Sequence, residues 1–187
     1  MNTPLVRATE PPYDEHTHSM LQKWMPPGAA QKPLELFRTL TKSPNLMEAM
    51  LPLGRYFLGS KSPFSLRKRE LLILRTCYNS NCEYEWGVHV AGFAKIAKIS
   101  IADIKELSSR QINPTYWSGE EYALLCAADT LQRQNYITGA IKIQLQQYYN
   151  DETILALLAI VGWYGIIANI ANTSCSANEP WAPPFPA

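Results

Sequence analysis

The sequence has no excess of charge of either sign and no extended basic segment. Its 187 residues include 17 Lys and Arg against 16 Asp and Glu, and the one basic triplet is Arg67-Lys68-Arg69. Binding to nucleic acid or to an anionic membrane surface depends on concentrated positive charge. We therefore predict neither as a partner. Because 47% of the residues are hydrophobic, the composition indicates a folded chain and not a disordered one.

The sequence also lacks a disulfide framework, a Cys-x-x-Cys pair and an apolar leader. Its four cysteines are Cys77, Cys82, Cys126 and Cys175, and their spacing matches neither paired disulfides nor a zinc knuckle. Residues 1–10 carry no apolar core of the kind that a secretory signal needs. These features favour a cytoplasmic protein with free thiols.

One apolar run is long enough to raise the question of a membrane. Residues 154–168 are apolar throughout apart from the hydroxyl of Tyr164, and Asn169 and Asn172 follow at once. Fifteen residues fall short of the roughly 20 that a spanning helix requires. We therefore predict a central core helix or an oligomer interface at this position, and no membrane partner.

No alternating strand pattern of useful length is present, and helical periodicity dominates. Residues 1–32 form a proline-rich N-terminal extension with a short helix at about residues 15–24. Residues 33–177 form the main domain, and residues 178–187 form a tail whose Trp181 and Phe185 are predicted to lie on a neighbour. Helix starts are predicted at Pro33, Pro44, Ser65, Cys82, Ser100, Ser118, Thr138 and Asp151. The fold class is all-α, with about eight helices.

Ionisable residues fall on the inward faces of two consecutive helices. In the helix that begins after Ser65, Glu70 lies in one stripe with Ile73 and Leu74, and Lys68, Arg69 and Arg75 are predicted to point elsewhere. In the next helix, Cys82, Glu85 and His89 share the face that Trp86, Val90, Phe93 and Ile96 define. Two carboxylates, a thiol and an imidazole are therefore predicted to point inward.

Such groups have to pair, shift in pKa or line a pocket, because an unpaired buried charge costs several kcal/mol. Glu85 and His89 are four residues apart and can touch, and the short Ser80-Asn81 link favours packing of Glu70 against them. His89 beside a carboxylate could then shuttle a proton near neutral pH. The same residues could instead form a purely structural network, and Glu70, Glu85 and His89 could supply metal ligands, although nothing else marks a coordination shell.

The order Glu70, eleven residues, Cys82, two residues, Glu85, three residues, His89 resembles the signature of the carboxymuconolactone decarboxylase and alkylhydroperoxidase D (AhpD) family. That signature has Glu, Cys, Cys and His at the same spacing. The flanking segments at 33–40, 51–59, 67–76 and 83–90 also look like members with Tyr-Glu-Trp (here 84–86) in place of Cys-x-x-Cys. The similarity covers roughly residues 33 to 175.

The resemblance implies an AhpD-like helical bundle that forms dimers, trimers or hexamers, with the site near a subunit contact. It also implies that Glu70 and His89 belong to a proton relay. The chain departs from the peroxidase members at one position, since Glu85 stands where their peroxide-attacking cysteine lies. Only Cys82 of the pair remains, so a two-thiol cycle within the motif is impossible.

Three functions follow as hypotheses, with Glu70, Cys82, Glu85 and His89 as the candidate site. The first is a lyase- or isomerase-like enzyme that uses Glu and His to move protons on a small carboxylate- or carbonyl-bearing molecule. The second is a single-cysteine peroxidase through Cys82, which would need an external reductant. The third is a non-catalytic oligomeric binding module. The predicted partners are a small-molecule substrate and further copies of the chain, and neither a cofactor nor a metal is predicted.

Overall fold

The computed structural model describes residues 3–26, 31–175 and 177–186. Within these ranges the chain forms nine α-helices and no strand, so the all-α prediction is confirmed. The predicted short helix of the extension accounts for the ninth. The helices are α1 Glu15–Trp24, α2 Glu35–Leu40, α3 Pro44–Leu58, α4 Leu66–Asn79, α5 Glu83–Phe93, α6 Ile101–Leu107, α7 Gly119–Gln134, α8 Gly139–Tyr148 and α9 Asp151–Ser174.

Most helix starts follow the capping chemistry of the sequence. The Ser65 hydroxyl accepts from the Lys68 amide, and Ser100 and Asp103 form a reciprocal capping box. Pro44 occupies the first turn of α3, where its missing N–H is not needed. The prediction for Pro33 is wrong, because α2 begins at residue 35 and Leu34 is its N-cap.

Helix α4 lies at the centre of the bundle and packs against α5, α7 and α9. Every residue from Arg69 to Cys77 is buried, so the prediction that Arg69 and Arg75 point away from the core is wrong. Arg75 donates to the Asp129 carboxylate at 2.8 Å and to the carbonyl of Leu107 at 2.8 Å. A helix surrounded on all sides must bury its cations, and they remain only where partners compensate for the lost water.

Helix α9 is longer than the apolar run alone suggests. It spans 24 residues, and by length and composition alone it is apolar enough to cross a membrane. Half of its most apolar stretch is buried within the chain, which is typical of a core helix. The helix begins at Asp151, as predicted, and extends beyond the apolar run at both ends. The absence of a membrane partner stays a prediction.

The C-terminal tail lies on its own chain, so the prediction that Phe185 packs on a neighbour is not supported. The Phe185 ring packs against Tyr78 and Trp86, with ring centroids 5.5 and 5.3 Å apart. Its amide donates to the Glu83 carboxylate at 2.9 Å. The tail passes so close to α5 that a Cβ on Gly87 would lie 2.5 Å from the Pro183 carbonyl oxygen.

The extension contributes to the same core as the rest of the chain. Met20 and Leu21 of α1 are buried among the core residues. The segment boundaries at residues 32 and 177 stay predictions, and residues 1, 2, 27–30, 176 and 187 of the predicted segments lie outside the described residues.

Candidate active site

A tight link between α4 and α5 brings the predicted site residues together. Asn81 adopts a left-handed conformation with φ of 50°, which Asn tolerates better than most residues. The Cys82 amide then donates to the Cys77 carbonyl at 2.8 Å, and Cys82 becomes the N-cap of α5. Because the turn is so short, the inward faces of the two helices meet, as the sequence predicted.

Glu70 is a fully buried carboxylate held between two cationic groups. Its Oε1 accepts from Arg69 Nε at 2.8 Å, and its Oε2 lies 2.7 Å from His89 Nδ1. Arg69 in turn donates from Nη1 to the Leu58 carbonyl at 2.9 Å. A charge removed from water is stable only with such compensation, so Arg69 is a required partner of Glu70 that the sequence analysis assigned to the wrong face.

His89 lies at the centre of this network. Its Nε2 is 3.3 Å from Glu85 Oε1 and 3.1 Å from the Tyr164 hydroxyl. Its ring stacks on Phe93 at 5.1 Å. Burial lowers the pKa of His89, but the carboxylates of Glu70 and Glu85 outweigh burial and raise that pKa to about 9. The imidazole is therefore protonated at neutral pH.

The Tyr164 hydroxyl can serve both protonation states of His89. When the ring is protonated, Nε2–H donates to the Tyr164 oxygen, and when it is neutral, the Tyr164 O–H donates to Nε2. Burial, followed by the nearby carboxylates of Glu85 and Glu70, raises the pKa of Tyr164 well above its ordinary value. Tyr164 therefore keeps its proton and acts as a switchable hydrogen-bond partner.

Glu85 connects the network to a cavity of about 650 Å³. The residue is only 8% exposed, and its Oε2 has no hydrogen-bond partner among the described residues. Buried carboxylate oxygens are normally satisfied, so Oε2 is an unsatisfied acceptor on a residue that lines the cavity. The cavity is lined by Gln22, Lys23, Trp24, Met25, Pro26, Leu36, Phe37, Leu51, Gly54, Arg55, Leu58, Gly59, Glu85, Phe93, Trp163, Tyr164 and Ile167.

Cys82 is in a different environment. The residue is fully buried and does not line the cavity. Burial raises the pKa of its thiol to about 12; a hydrogen bond with the Glu85 backbone lowers that pKa, and the Glu85 carboxylate raises it further, but burial is the largest effect. A nucleophilic cysteine needs access and a lowered pKa, and Cys82 has neither.

The structure thus brings three of the four predicted residues together, with Glu70 hydrogen-bonded to His89 and Glu85 ion-paired with it, and leaves Cys82 apart from the cavity. The sequence analysis missed Arg69 and Tyr164. The signal for Tyr164 was present, since its hydroxyl is the one polar side-chain group in the apolar run 154–168. Ile96 was placed wrongly on the inward face, because α5 ends at Phe93 and Ile96 is 63% exposed.

A second, larger depression lies elsewhere. A groove of about 840 Å³ runs between α7, α8 and α9 and is lined by none of the four predicted site residues. Volume alone does not identify a site, and the smaller cavity is the one that a buried carboxylate with a free oxygen reaches. Within the described ranges, no group of three or more His, Cys, Asp or Glu side chains is arranged to hold a metal ion.

Comparison with known proteins supports the resemblance that the motif indicated. The model of the carboxymuconolactone decarboxylase family matches residues 44–129, a range that includes all four predicted site residues. A comparison with curated proteins finds no match.

Two solved structures share the fold. One is a protein of unknown function, ATU0492 from Agrobacterium tumefaciens, for which an AhpD antioxidant-defence role has been suggested. It is 20% identical, with a TM-score of 0.65, and the match covers 75% of this chain and 94% of that one. The other is a cysteine-to-alanine variant of the debrominase Bmp8 in complex with 2,3,4-tribromopyrrole. It is 17% identical, with a TM-score of 0.75, and the match covers 97% of this chain and 94% of that one. At these identities the likeness establishes the fold.

Proposed function

We propose that this protein, whose residues 44–129 match the model of the carboxymuconolactone decarboxylase family, is an enzyme that moves protons on a small ring or carbonyl compound. The base is Glu85, and protonated His89 pairs with the Glu85 carboxylate and orients it. The observation that carries the proposal is the Glu85 carboxylate, which has Oε1 3.3 Å from His89 Nε2 and Oε2 without a partner beside the cavity.

The charges of the network suit this role. Arg69 and Glu70 form one ion pair, and protonated His89 and the Glu85 carboxylate form a second. The imidazolium stabilises a negative charge on Glu85 and so keeps the base ready. Glu70, fixed by Arg69, holds Nδ1 of His89 and orients Nε2 toward Glu85.

In the proposed reaction, Glu85 takes a proton from a carbon next to a carbonyl group. The C–H bond breaks, and its electron pair moves into the enolate while the proton comes to Glu85. Return of the proton to a different carbon completes an isomerisation. In a decarboxylation the C–C bond to the carboxylate breaks instead, CO₂ leaves, and a proton from the Glu85–His89 pair neutralises the carbanion. Neither outcome needs a second thiol.

The cavity sets the size of the proposed substrate. About 650 Å³ accommodates a small molecule, and most of its lining is apolar or aromatic. The debrominase structure contains a brominated pyrrole, which is a small planar ring. We extend only the size and shape of that ligand to this chain.

The alternatives receive less support. Burial and the raised pKa of Cys82 oppose a single-cysteine peroxidase. A purely structural network would satisfy both oxygens of Glu85, yet one has no partner among the described residues. Assembly into a homo-oligomer stays part of the proposal and is supported by Leu155 and Ile166, which are exposed on α9. A cytoplasmic location stays a prediction.

The proposal is tested by deuterium exchange, followed by proton NMR, at the acidic C–H groups of a panel of oxo acids and lactones that includes carboxymuconolactone. We expect the wild type to accelerate exchange in at least one compound. His89→Gln should lose this acceleration, whereas His16→Gln, which alters a histidine of α1 outside the network, should retain it. Equal rates for both variants would contradict the role of His89.

A further inference from the structure

The outer wall of the cavity comes from a part of the chain outside the matched family segment. Residues 22–26, at the end of α1 and just beyond it, line the cavity. The family match spans residues 44–129, so these residues lie outside it, as do the lining residues of α2 and α9. We propose that this N-terminal wall determines which substrate the cavity accepts, and that Trp24 is the specificity-determining residue. The inference rests on the proposed function for its assumption that the cavity is where the substrate binds.

The wall is held in a defined position. Asp14 caps the start of α1 by accepting from the Thr17 amide at 2.6 Å, and Leu21 anchors the helix in the core. At the other end, Arg55 Nη2 of α3 donates to the Lys23 carbonyl at 3.3 Å. These contacts fix the last turn of α1, so Trp24 occupies a set place in the lining of the cavity.

Aromatic rings from four helices line the cavity. Trp24 of α1 packs against Phe37 of α2 with ring centroids 5.1 Å apart, and both residues line the cavity. Phe93, Trp163 and Tyr164 line it from α5 and α9. Aromatic walls favour planar rings, because offset stacking and edge contacts with a ring add to the gain from burying apolar area.

The polar requirement of the ligand follows from Glu85. Glu85 Oε2 has no partner and can accept a hydrogen bond, and Glu85 is the one acidic residue that lines the cavity, in both cases among the described residues. The ligand class is therefore a planar aromatic or conjugated ring that presents one O–H, N–H or acidic C–H to Glu85. Trp24 would seat the ring and exclude water from that contact.

The test is isothermal titration of the full chain with 2-naphthol, a planar ring with one hydroxyl donor, and with 2-methoxynaphthalene, which lacks the donor. We expect the wild type to bind 2-naphthol more tightly than its methyl ether. Trp24→Ala should weaken 2-naphthol binding about tenfold, the scale of a lost aromatic contact. Trp181→Ala, which removes an exposed tryptophan of the tail, should leave binding unchanged within about twofold.

A second variant, Trp24→Phe, tests the proposal if Trp24→Ala disturbs the folding of α1. It retains a ring against Phe37 and should bind 2-naphthol with an affinity between those of the wild type and Trp24→Ala. No binding by the wild type, or equal binding by the wild type and Trp24→Ala, would overturn the inference. Titration measures binding and not turnover, so the two proposals can fail separately. If no compound shows accelerated deuterium exchange but Trp24→Ala still weakens 2-naphthol binding, the proposed function is wrong and the binding site is supported.

Discussion

Successive turns of the Cys82–Phe93 segment place reactive groups in opposite environments. At its start, Cys82 is sealed in the core, and Glu83 just beyond it is occupied by the C-terminal tail. One turn on, Glu85 has a free oxygen on a cavity, and His89 lies directly behind it. The comparison teaches that a motif residue becomes chemically useful through what surrounds it. In this chain the carboxylate, and not the thiol, has both access and a proton partner.

The largest expected effect separates two glutamates of α5. Glu85→Gln removes the base beside the cavity, so deuterium exchange should fall by about 10²- to 10⁴-fold, the range attributed to general base catalysis. Glu83→Gln is the matched control, because Glu83 accepts hydrogen bonds from Asn178 and Phe185 and does not line the cavity. A similar loss in both variants would show that the rate depends on α5 stability and not on Glu85.

The second prediction concerns the pH dependence of stability. His89 has a pKa of about 9 in the folded chain and an ordinary pKa of about 6.5 when unfolded. Since folding raises the pKa, the stabilisation is complete below about pH 6.5 and is lost as the pH rises through about 9. Its size is on the order of 3 kcal/mol.

Urea unfolding of the wild type and of His89→Gln at several pH values measures this effect. The difference between their free energies of unfolding should shrink from pH 6 to pH 10. His18→Gln, which alters an exposed histidine of α1, should show a constant difference from the wild type. A constant difference for His89→Gln as well would mean that His89 is not protonated in the folded chain.

The third prediction concerns thiol accessibility. Cys82 is buried and its thiol has a raised pKa, whereas Cys126 is partly exposed. In the native protein, pulse alkylation followed by mass spectrometry should label Cys82 at least about tenfold more slowly than Cys126. In guanidinium chloride the two rates should become similar. Faster labelling of Cys82 in the native state would reopen the thiol hypothesis.

Much of this arrangement could be predicted from the sequence. Glu70, Glu85 and His89 were found because 100° per residue places them on inward faces and the Ser80-Asn81 link is too short to separate the helices. Arg69 was missed because the prediction assumed a helix with one buried stripe, whereas α4 is buried all round.

The cavity was beyond sequence reasoning for a different reason. It forms where α1, α2, α3, α5 and α9 converge, and helical periodicity fixes which face of a helix is buried without fixing which helices meet. The sequence therefore could not predict that Trp24 of α1 and Tyr164 of α9 line the same cavity. The tail was assigned to a neighbour because its proline and aromatic residues predict an extended segment that packs on another surface. That composition does not distinguish a neighbouring chain from α5 of the same chain.

The smallest expected effect tests the sealed end of α5. Phe185→Ala removes a ring that packs on Tyr78 and Trp86 and should lower the free energy of unfolding by about 1 to 2 kcal/mol. Deuterium exchange should be unchanged. Trp181→Ala, also in the tail but more exposed, should cost less than about 0.5 kcal/mol. A loss of exchange in Phe185→Ala would link the tail to the chemistry.

The contrast between the two regions is tested most directly by one variant, Cys82→Ala, assayed for deuterium exchange and for dithiothreitol-dependent peroxide consumption. The account predicts exchange within about threefold of the wild type, since a general base has no need of the thiol, and no change in peroxide consumption. Loss of peroxide consumption in Cys82→Ala, with exchange absent from the wild type, would contradict it and place the chemistry at the thiol.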